Sequence, residues 1–197
     1  MLLLKLKKGV KKMKLFTKEG KGIEALKGTV TEQNLNTALS GESRAHLKYK
    51  WYAKKARDQG LVEVSEIFEE TSKNESEHAE IWFRYLAGDS DTQGNVEDAI
   101  KGEHHEWESM YRQFAEDAKR EGFLYLAGLF ERVASIEKAH EERYQKYADA
   151  LENKTLLTSD SEETKWICLN CGYIITAKEP PHECPVCQEE RGYFKKM

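Results

Sequence analysis

The three prolines of this 197-residue chain fall at 180, 181 and 185, so none interrupts a helix between residues 29 and 152. Four apolar-periodic stretches fill that interval, each bounded by caps or glycines. The first, from about Thr31 to Gly60, carries Leu35, Ala38, Leu39, Glu42, Ala45, Tyr49, Tyr52 and Ala53 on one stripe. The second, from about Glu63 to Leu86, carries Val64, Ile67, Phe68, Thr71, Glu75, His78, Trp82 and Tyr85. The third, from Asn95 to Glu121, shows Val96, Ile100, Glu103, Glu106, Met110, Phe114 and Ala118. The fourth, from Phe123 to Leu151, shows Phe130, Val133, Ala134, Glu137, His140, Tyr144, Tyr147 and Leu151. Four long helices with single inward stripes predict an all-α four-helix bundle, with tight joints at Gly60 and Gly122 that make two antiparallel hairpins.

The composition changes near the C-terminus. A polar stretch ends at Thr164, and from Lys165 onward Cys, Gly, Pro and short β-like runs such as Tyr173-Ile174-Ile175-Thr176 take over. That segment is too short to fold on apolar burial alone, so a metal is expected to hold it. The predicted organisation is a basic extension over 1–28, the bundle over 29–152, a linker over 153–164 and a small β-rich module over 165–197.

Charge divides the chain in the same way. Residues 1–28 hold nine Lys against Glu19 and Glu24, a net of +7, which leaves -11 of the whole-chain -4 for residues 29–197. The basic segment has Phe16 as its one aromatic and reads as an extension, and the acidic body argues against a nucleic-acid partner. No apolar run approaches the ~18 residues of a membrane span, and Leu2-Leu3-Leu4 is too short for a signal-peptide core of ~7–15 residues. A cytoplasmic protein with no membrane association is the expectation.

The stripes carry residues that do not belong in a core. Glu42, Glu75, His78, Glu103, Glu106, Glu137 and His140 stand where Leu would be ordinary, and buried carboxylates are costly unless paired or bound to metal. Residues at i and i+3 lie about 60° apart on a helix, so Glu75/His78 and Glu137/His140 each present two ligands to one point. With Glu42, Glu103 and Glu106 from the other two helices they complete the pattern of a dinuclear carboxylate site. Oxygen-rich coordination with two imidazoles suits iron or manganese better than calcium or copper. His46, Glu77, Glu80 and Glu108 fall off the stripes and read as solvated, and of the adjacent His104 and His105 at most one faces inward. Tyr49 and Tyr111 follow acidic ligands on their own stripes, where a phenol finds a carboxylate acceptor.

All four cysteines, Cys168, Cys171, Cys184 and Cys187, lie within twenty residues. Two Cys-x-x-Cys knuckles, with twelve residues between Cys171 and Cys184, are a tetrahedral metal signal in a reducing compartment rather than a disulfide framework. Sulfur ligands alone leave both structural zinc and a single redox iron open.

Taken together, Ala38-Leu39-Ser40-Gly41-Glu42-Ser43, Glu75-Ser76-Glu77-His78-Ala79, Gly102-Glu103-His104-His105-Glu106-Trp107, Glu137-Lys138-Ala139-His140 and the two knuckles make residues 24–197 resemble the rubrerythrin family. The resemblance implies a ferritin-like di-iron bundle with a rubredoxin-like Fe(Cys)4 module. It implies a non-haem peroxidase of oxidative-stress defence that reduces hydrogen peroxide to water. Its electrons would come from an external donor such as rubredoxin or an NAD(P)H-dependent reductase, relayed through Cys168, Cys171, Cys184 and Cys187. By the same resemblance Glu75 and Glu137 bridge two irons, Glu42 and Glu106 are terminal ligands to one, and Glu103 with His140 to the other. His78 then resembles the histidine that replaces the Glu106-type carboxylate on reduction, and Tyr49 and Tyr111 match tyrosines that hydrogen-bond to ligand carboxylates. A ferroxidase or iron-handling protein, and a non-catalytic protein with a zinc module, are the competing readings.

Two features depart from the family pattern. The basic extension has no counterpart at the usual family start. The connection from about Ala87 to Gly94 is also short. A ferritin-like link must run the length of the bundle, ~35 Å, whereas eight or nine residues reach at most ~30 Å. A homodimer that exchanges hairpins between chains is the resulting expectation.

Overall fold

The computed structural model describes residues 23–87 and 90–197. The expectation of a basic extension therefore lies mostly outside the described residues. From Thr29 onward the chain is helical because its ends are capped. The Thr29 hydroxyl accepts the Glu32 N–H at 3.1 Å, and the Glu32 carboxylate accepts the Gly28 N–H at 2.7 Å. Two otherwise unsatisfied donors are thereby paired, a device worth about 1 kcal/mol. Helix α1 runs Val30–Asp58 and α2 runs Val62–Ala87. Their joint is a left-handed glycine, Gly60 at φ +76°, where Leu61 N–H bonds Ala56 C=O and Gly60 N–H bonds Arg57 C=O.

Helix α3 (Thr92–His105) starts on Asp91, whose side chain accepts the Gly94 N–H at 2.9 Å. A π-helical turn, Glu106–Met110, joins it to α4 (Tyr111–Arg120), and α5 runs Leu124–Glu152. The helix predicted over 95–121 thus runs through a wider turn, in which Tyr111 N–H reaches five residues back to Glu106 C=O. Gly122, at φ +86°, ends α4 with the same two hydrogen bonds seen at Gly60.

The two hairpins repeat one another with an offset of 62 residues, the separation of Gly60 from Gly122. Ala53 and Ala56, buried in the first, match Ala115 and Ala118 in the second. Arg57 pairs with Glu69 as Lys119 pairs with Glu131. Tyr49 and Tyr52 pack on Phe68 at 6.0 and 5.5 Å between ring centres, and Tyr111 and Phe114 pack on Phe130 at 6.1 and 5.6 Å. Upstream of the π turn the offset falls to 61, so that Glu42 corresponds to Glu103. The extra residue lies inside the wide turn, as an insertion accommodated without breaking the helix.

Each hairpin is only half of a core. Small residues such as Ala53, Ala56, Ser65 and Ser72 line the first seam, and Ala115, Ala118, Ala127 and Ala148 the second. Trp51, Ile67, Phe83, Leu126 and Ile136 stay substantially exposed. Two helices present too little surface to one another to bury such stripes. Among the described residues no helix is long and apolar enough to cross a membrane.

The C-terminal module is an antiparallel sheet of order β2-β1-β3, with β1 Lys165–Cys168, β2 Ile174–Thr176 and β3 Phe194–Lys196. Its core is Trp166, Cys168, Cys184 and Phe194, with Leu157, Tyr173, Ile175 and Cys187 packed around. The Trp166 indole N–H, fully buried, donates to Ala177 C=O at 2.8 Å. A left-handed glycine is required at both hairpin joints, so Gly122→Ala is expected to cost about 1 kcal/mol and to lower Tm. Unchanged thermal unfolding would contradict this role for the joint.

Candidate metal centre

In the first hairpin, Glu42 projects from the middle of α1 towards Glu75 and His78, one turn apart on α2. The His78 Nδ1 lies 3.0 Å from Glu75 Oε2. Burial, then a hydrogen bond and charge repulsion from Glu75, raise the Glu42 carboxyl above its ordinary range, with His78 opposing. The pair of helices is pinned beside this site by His46, whose Nδ1 is 2.8 Å from Ser72 C=O while the Ser72 hydroxyl donates to His46 C=O at 2.8 Å. His46 was expected to be solvated; it is instead a half-buried tie between α1 and α2.

The second hairpin rebuilds this arrangement. Glu103 of α3 meets Glu137 and His140 of α5, with His140 Nδ1 2.7 Å from Glu137 Oε2 and 3.5 Å from Glu103 Oε2. Burial raises the Glu103 carboxyl, His140 pulls it back, and the charges of Glu137 and Glu106 push it further up. Tyr111 is likewise held protonated, first by burial and then by the negative charge of Glu106 and Glu137. Glu106 stands in the π turn, outside the triad but near enough to act on both groups. Glu141, one residue past His140, accepts from the Trp107 indole and faces His104 Nδ1 at 3.0 Å. That tie does in the second hairpin what His46 does in the first.

These donor sets fit a divalent or trivalent cation. In each triad two carboxylates and one imidazole bring ligand atoms within 4.8 Å of one another. Among the described residues no Lys or Arg pairs with Glu42, Glu75, Glu103 or Glu137, although Glu75 and Glu137 side chains are only 18% and 14% exposed. Crowded acids with no organic cation beside them are what a metal neutralises. Carboxylate oxygen with imidazole nitrogen suits iron.

The cysteine shell has metal geometry as it stands. Cys168 and Cys187 sulfurs are 3.7 Å apart, and those of Cys171 and Cys184 are 3.6 Å apart. A tetrahedron with bonds of ~2.3 Å has edges of ~3.8 Å. The knuckles match: Gly172 N–H donates to Cys168 C=O at 2.8 Å and Gln188 N–H to Cys184 C=O at 2.9 Å, each residue having positive φ. Hydrogen bonds from the Asn170 side chain and the Glu189 N–H draw Cys187 down to about 6. Cys171 is pushed up to about 12, because burial and the three neighbouring sulfurs outweigh the Tyr173 N–H that favours its thiolate. The support for a metal here is the tetrahedral spacing of four sulfurs, which fits a bound Fe ion.

Six of the seven acids and histidines expected from sequence thus gather into two triads, Glu106 stands beside the second, and the four cysteines form one shell. What the sequence reading lacked was the repeat. Its signal was present in the paired Gly60/Gly122 and Glu75/Glu137 spacings, hidden by a one-residue change of offset. The raised carboxyls give a pH signature. With folded-state values above the ordinary 4.5, Glu42 and Glu103 favour the fold below that pH, and this contribution is lost as pH rises through their raised values. Metal-free protein carrying Glu42→Gln and Glu103→Gln is expected to show a flatter Tm–pH profile over that window than the parent. Added Fe(II) is expected to raise the parent's Tm at pH 7 by binding the ionised acids. Identical pH slopes, or no shift with Fe(II), would contradict the assignment.

Comparison with known proteins follows the same division. A family profile described as Rubrerythrin matches residues 33–148, and one described as Rubrerythrin, rubredoxin-like domain matches 166–195. Rubrerythrin-1 of Clostridium acetobutylicum is 37% identical over 190 residues, 88% of this chain and 97% of its own. The rubrerythrins of Porphyromonas gingivalis and Nitratidesulfovibrio vulgaris are 35% and 34% identical, each over 88% of this chain and over 93% and 97% of their own. With its carboxylate–histidine triads and its four-cysteine shell both suited to iron, the chain belongs to the rubrerythrin family and has the iron-dependent redox character of that family.

Proposed function

We propose that this protein is a cytoplasmic peroxidase that reduces hydrogen peroxide to water at an iron pair held jointly by the two triads. The observation that carries the reading is their equivalence: two copies of Glu, Glu and His, each too few to fill the coordination of one ion, on hairpins with open apolar faces. Joined face to face, the hairpins would supply six ligands, with Glu75 and Glu137 placed to be shared. Iron bound there supplies one electron from each ion and Lewis acidity at the O–O bond, for H2O2 + 2e⁻ + 2H⁺ → 2H2O.

The chain's own residues prepare that chemistry. His78 and His140 are each oriented by the Glu one turn before them, through Nδ1, which leaves Nε2 of each ring free to serve as a ligand. Glu106 is the surplus carboxylate, with no equivalent in the first hairpin, and it and His78 would both be available as ligands to the iron pair. Tyr111 keeps its proton beside Glu106 and Glu137 and so can donate to either. Tyr49 occupies the equivalent place in the first hairpin. The cysteine module relays single electrons from an external donor, and its four free thiols suit a reducing cytosol.

We further propose that the two hairpins of one bundle come from different chains. Four residues separate Ala87 from Thr92, a reach of at most ~18 Å. The 26 residues of α2 span ~39 Å, the distance a ferritin-like link must cover to start α3 parallel to α2. Exchange between two copies satisfies both lengths and covers the apolar faces.

Three outcomes test this. Glu137→Ala is expected to keep its helices by circular dichroism and lose peroxide turnover; retained turnover contradicts the shared-ligand role. Cys184→Ser is expected to lose steady-state activity with a reductase while one chemical turnover of pre-reduced protein survives; equal loss of both makes the module structural. Inactive Glu75→Ala and Glu137→Ala chains, unfolded together and refolded, are expected to regain about a quarter of parental activity. Half the dimers would be mixed, each with one intact site of two. No recovery would mean that each bundle is built from a single chain.

A further inference from the structure

We propose that a cleft between the C-terminal half of α5, the linker after it and the cysteine module docks an acidic protein that delivers single electrons to that module. The inference deepens the reading above and rests on the module being the electron entry point. The cleft has a volume of about 970 Å³. Its floor is Phe194, and its walls include Tyr147, Leu156 and Leu169. The linker that forms one side is fixed to the module: Arg191 donates to Leu157 C=O at 3.2 Å and Lys196 to Thr158 C=O at 2.9 Å.

Three observations select the partner. Charge is the first: Arg143, Lys146, Lys195 and Lys196 line the cleft against one acid, Asp160, in a body whose residues 29–197 carry -11 overall. Arg143, Lys146 and Lys195 have no ion-pair partner among the described residues, so their charge is available to an anionic surface. Shape is the second: Leu169 is 64% exposed, Tyr147 42% and Leu156 41%. A small ligand is normally enclosed over ~70–90% of its surface, so walls this open suit a protein face with an apolar centre and a charged rim. Position is the third. Leu169 lies inside the first knuckle, between Cys168 and Cys171, and its N–H is fixed on Tyr193 C=O at 2.8 Å. A donor seated there stands one residue along the chain from Cys168 and two from Cys171. The transfer moves one electron from the donor's centre to the module, with no bond made or broken.

The test uses the full-length chain with zinc in the cysteine shell and, as probe, an acidic rubredoxin, also zinc-loaded, so that binding is read without turnover. Calorimetry is expected to give a Kd that weakens as salt rises from 50 to 200 mM. Arg143→Glu with Lys146→Glu and Lys195→Glu is expected to weaken it at least ~10-fold and to flatten the salt dependence. Lys50→Glu with Lys54→Glu and Lys55→Glu, an equal change of net charge on α1, is expected to leave Kd within about twofold. No binding by the parent chain, or equal loss in both variants, overturns the docking site. Absence of peroxide turnover by chemically reduced protein would instead overturn the peroxidase reading and leave this binding result standing.

Discussion

Two carboxylates held close to one another in each hairpin, without a lysine or arginine between them, are the constraint on which the rest of this structure depends. Water would solvate such groups readily, whereas the helices place them on seams where solvation is poor. The burial and mutual repulsion that raise Glu42 and Glu103 record that conflict. Histidines one turn from Glu75 and Glu137 relieve part of it, and a cation relieves the remainder. Under the proposed function metal binding and assembly would be one process, since ions that remove the repulsion within each triad would let the apolar faces come together.

The internal repeat explains how so regular a fold builds an unequal site. Gly60 and Gly122, the aromatic trios and the Arg57–Glu69 and Lys119–Glu131 pairs show two hairpins made to one plan. Symmetry breaks at the π turn, where an added residue brings in Glu106. Glu106 has no counterpart in the first hairpin, so the proposed site would have one more carboxylate on that side. The wide turn carries Glu106 and is tolerated by the rest of the helix.

Much of this was legible in the sequence, for identifiable reasons. Absence of proline and a 3.6-residue period gave the helices, because both act locally; Gly60 and Gly122 gave the joints. The acids and histidines that gather into the two triads were legible because a charged residue on an apolar stripe is a costly exception, and the cysteine shell because tetrahedral coordination dictates such spacing. What stayed hidden depends on contacts between helices. His46 looked solvated by its position on α1, and only Ser72 of α2 makes it a tie. The π turn is invisible to periodicity because the wide turn absorbs the added residue and keeps the stripe on one face. The basic cleft is composed of segments fifty residues apart, Arg143 and Lys195 among them, that only the fold unites.

The claim that both triads hold one pair of ions is tested most directly by anomalous diffraction at the iron edge on crystals of the iron-loaded protein. The account expects two iron peaks ~3.5–4 Å apart within each bundle, with Glu75 and Glu137 both in contact with both ions. One isolated ion per hairpin, bound by Glu42, Glu75 and His78 or by Glu103, Glu137 and His140 alone, would contradict it.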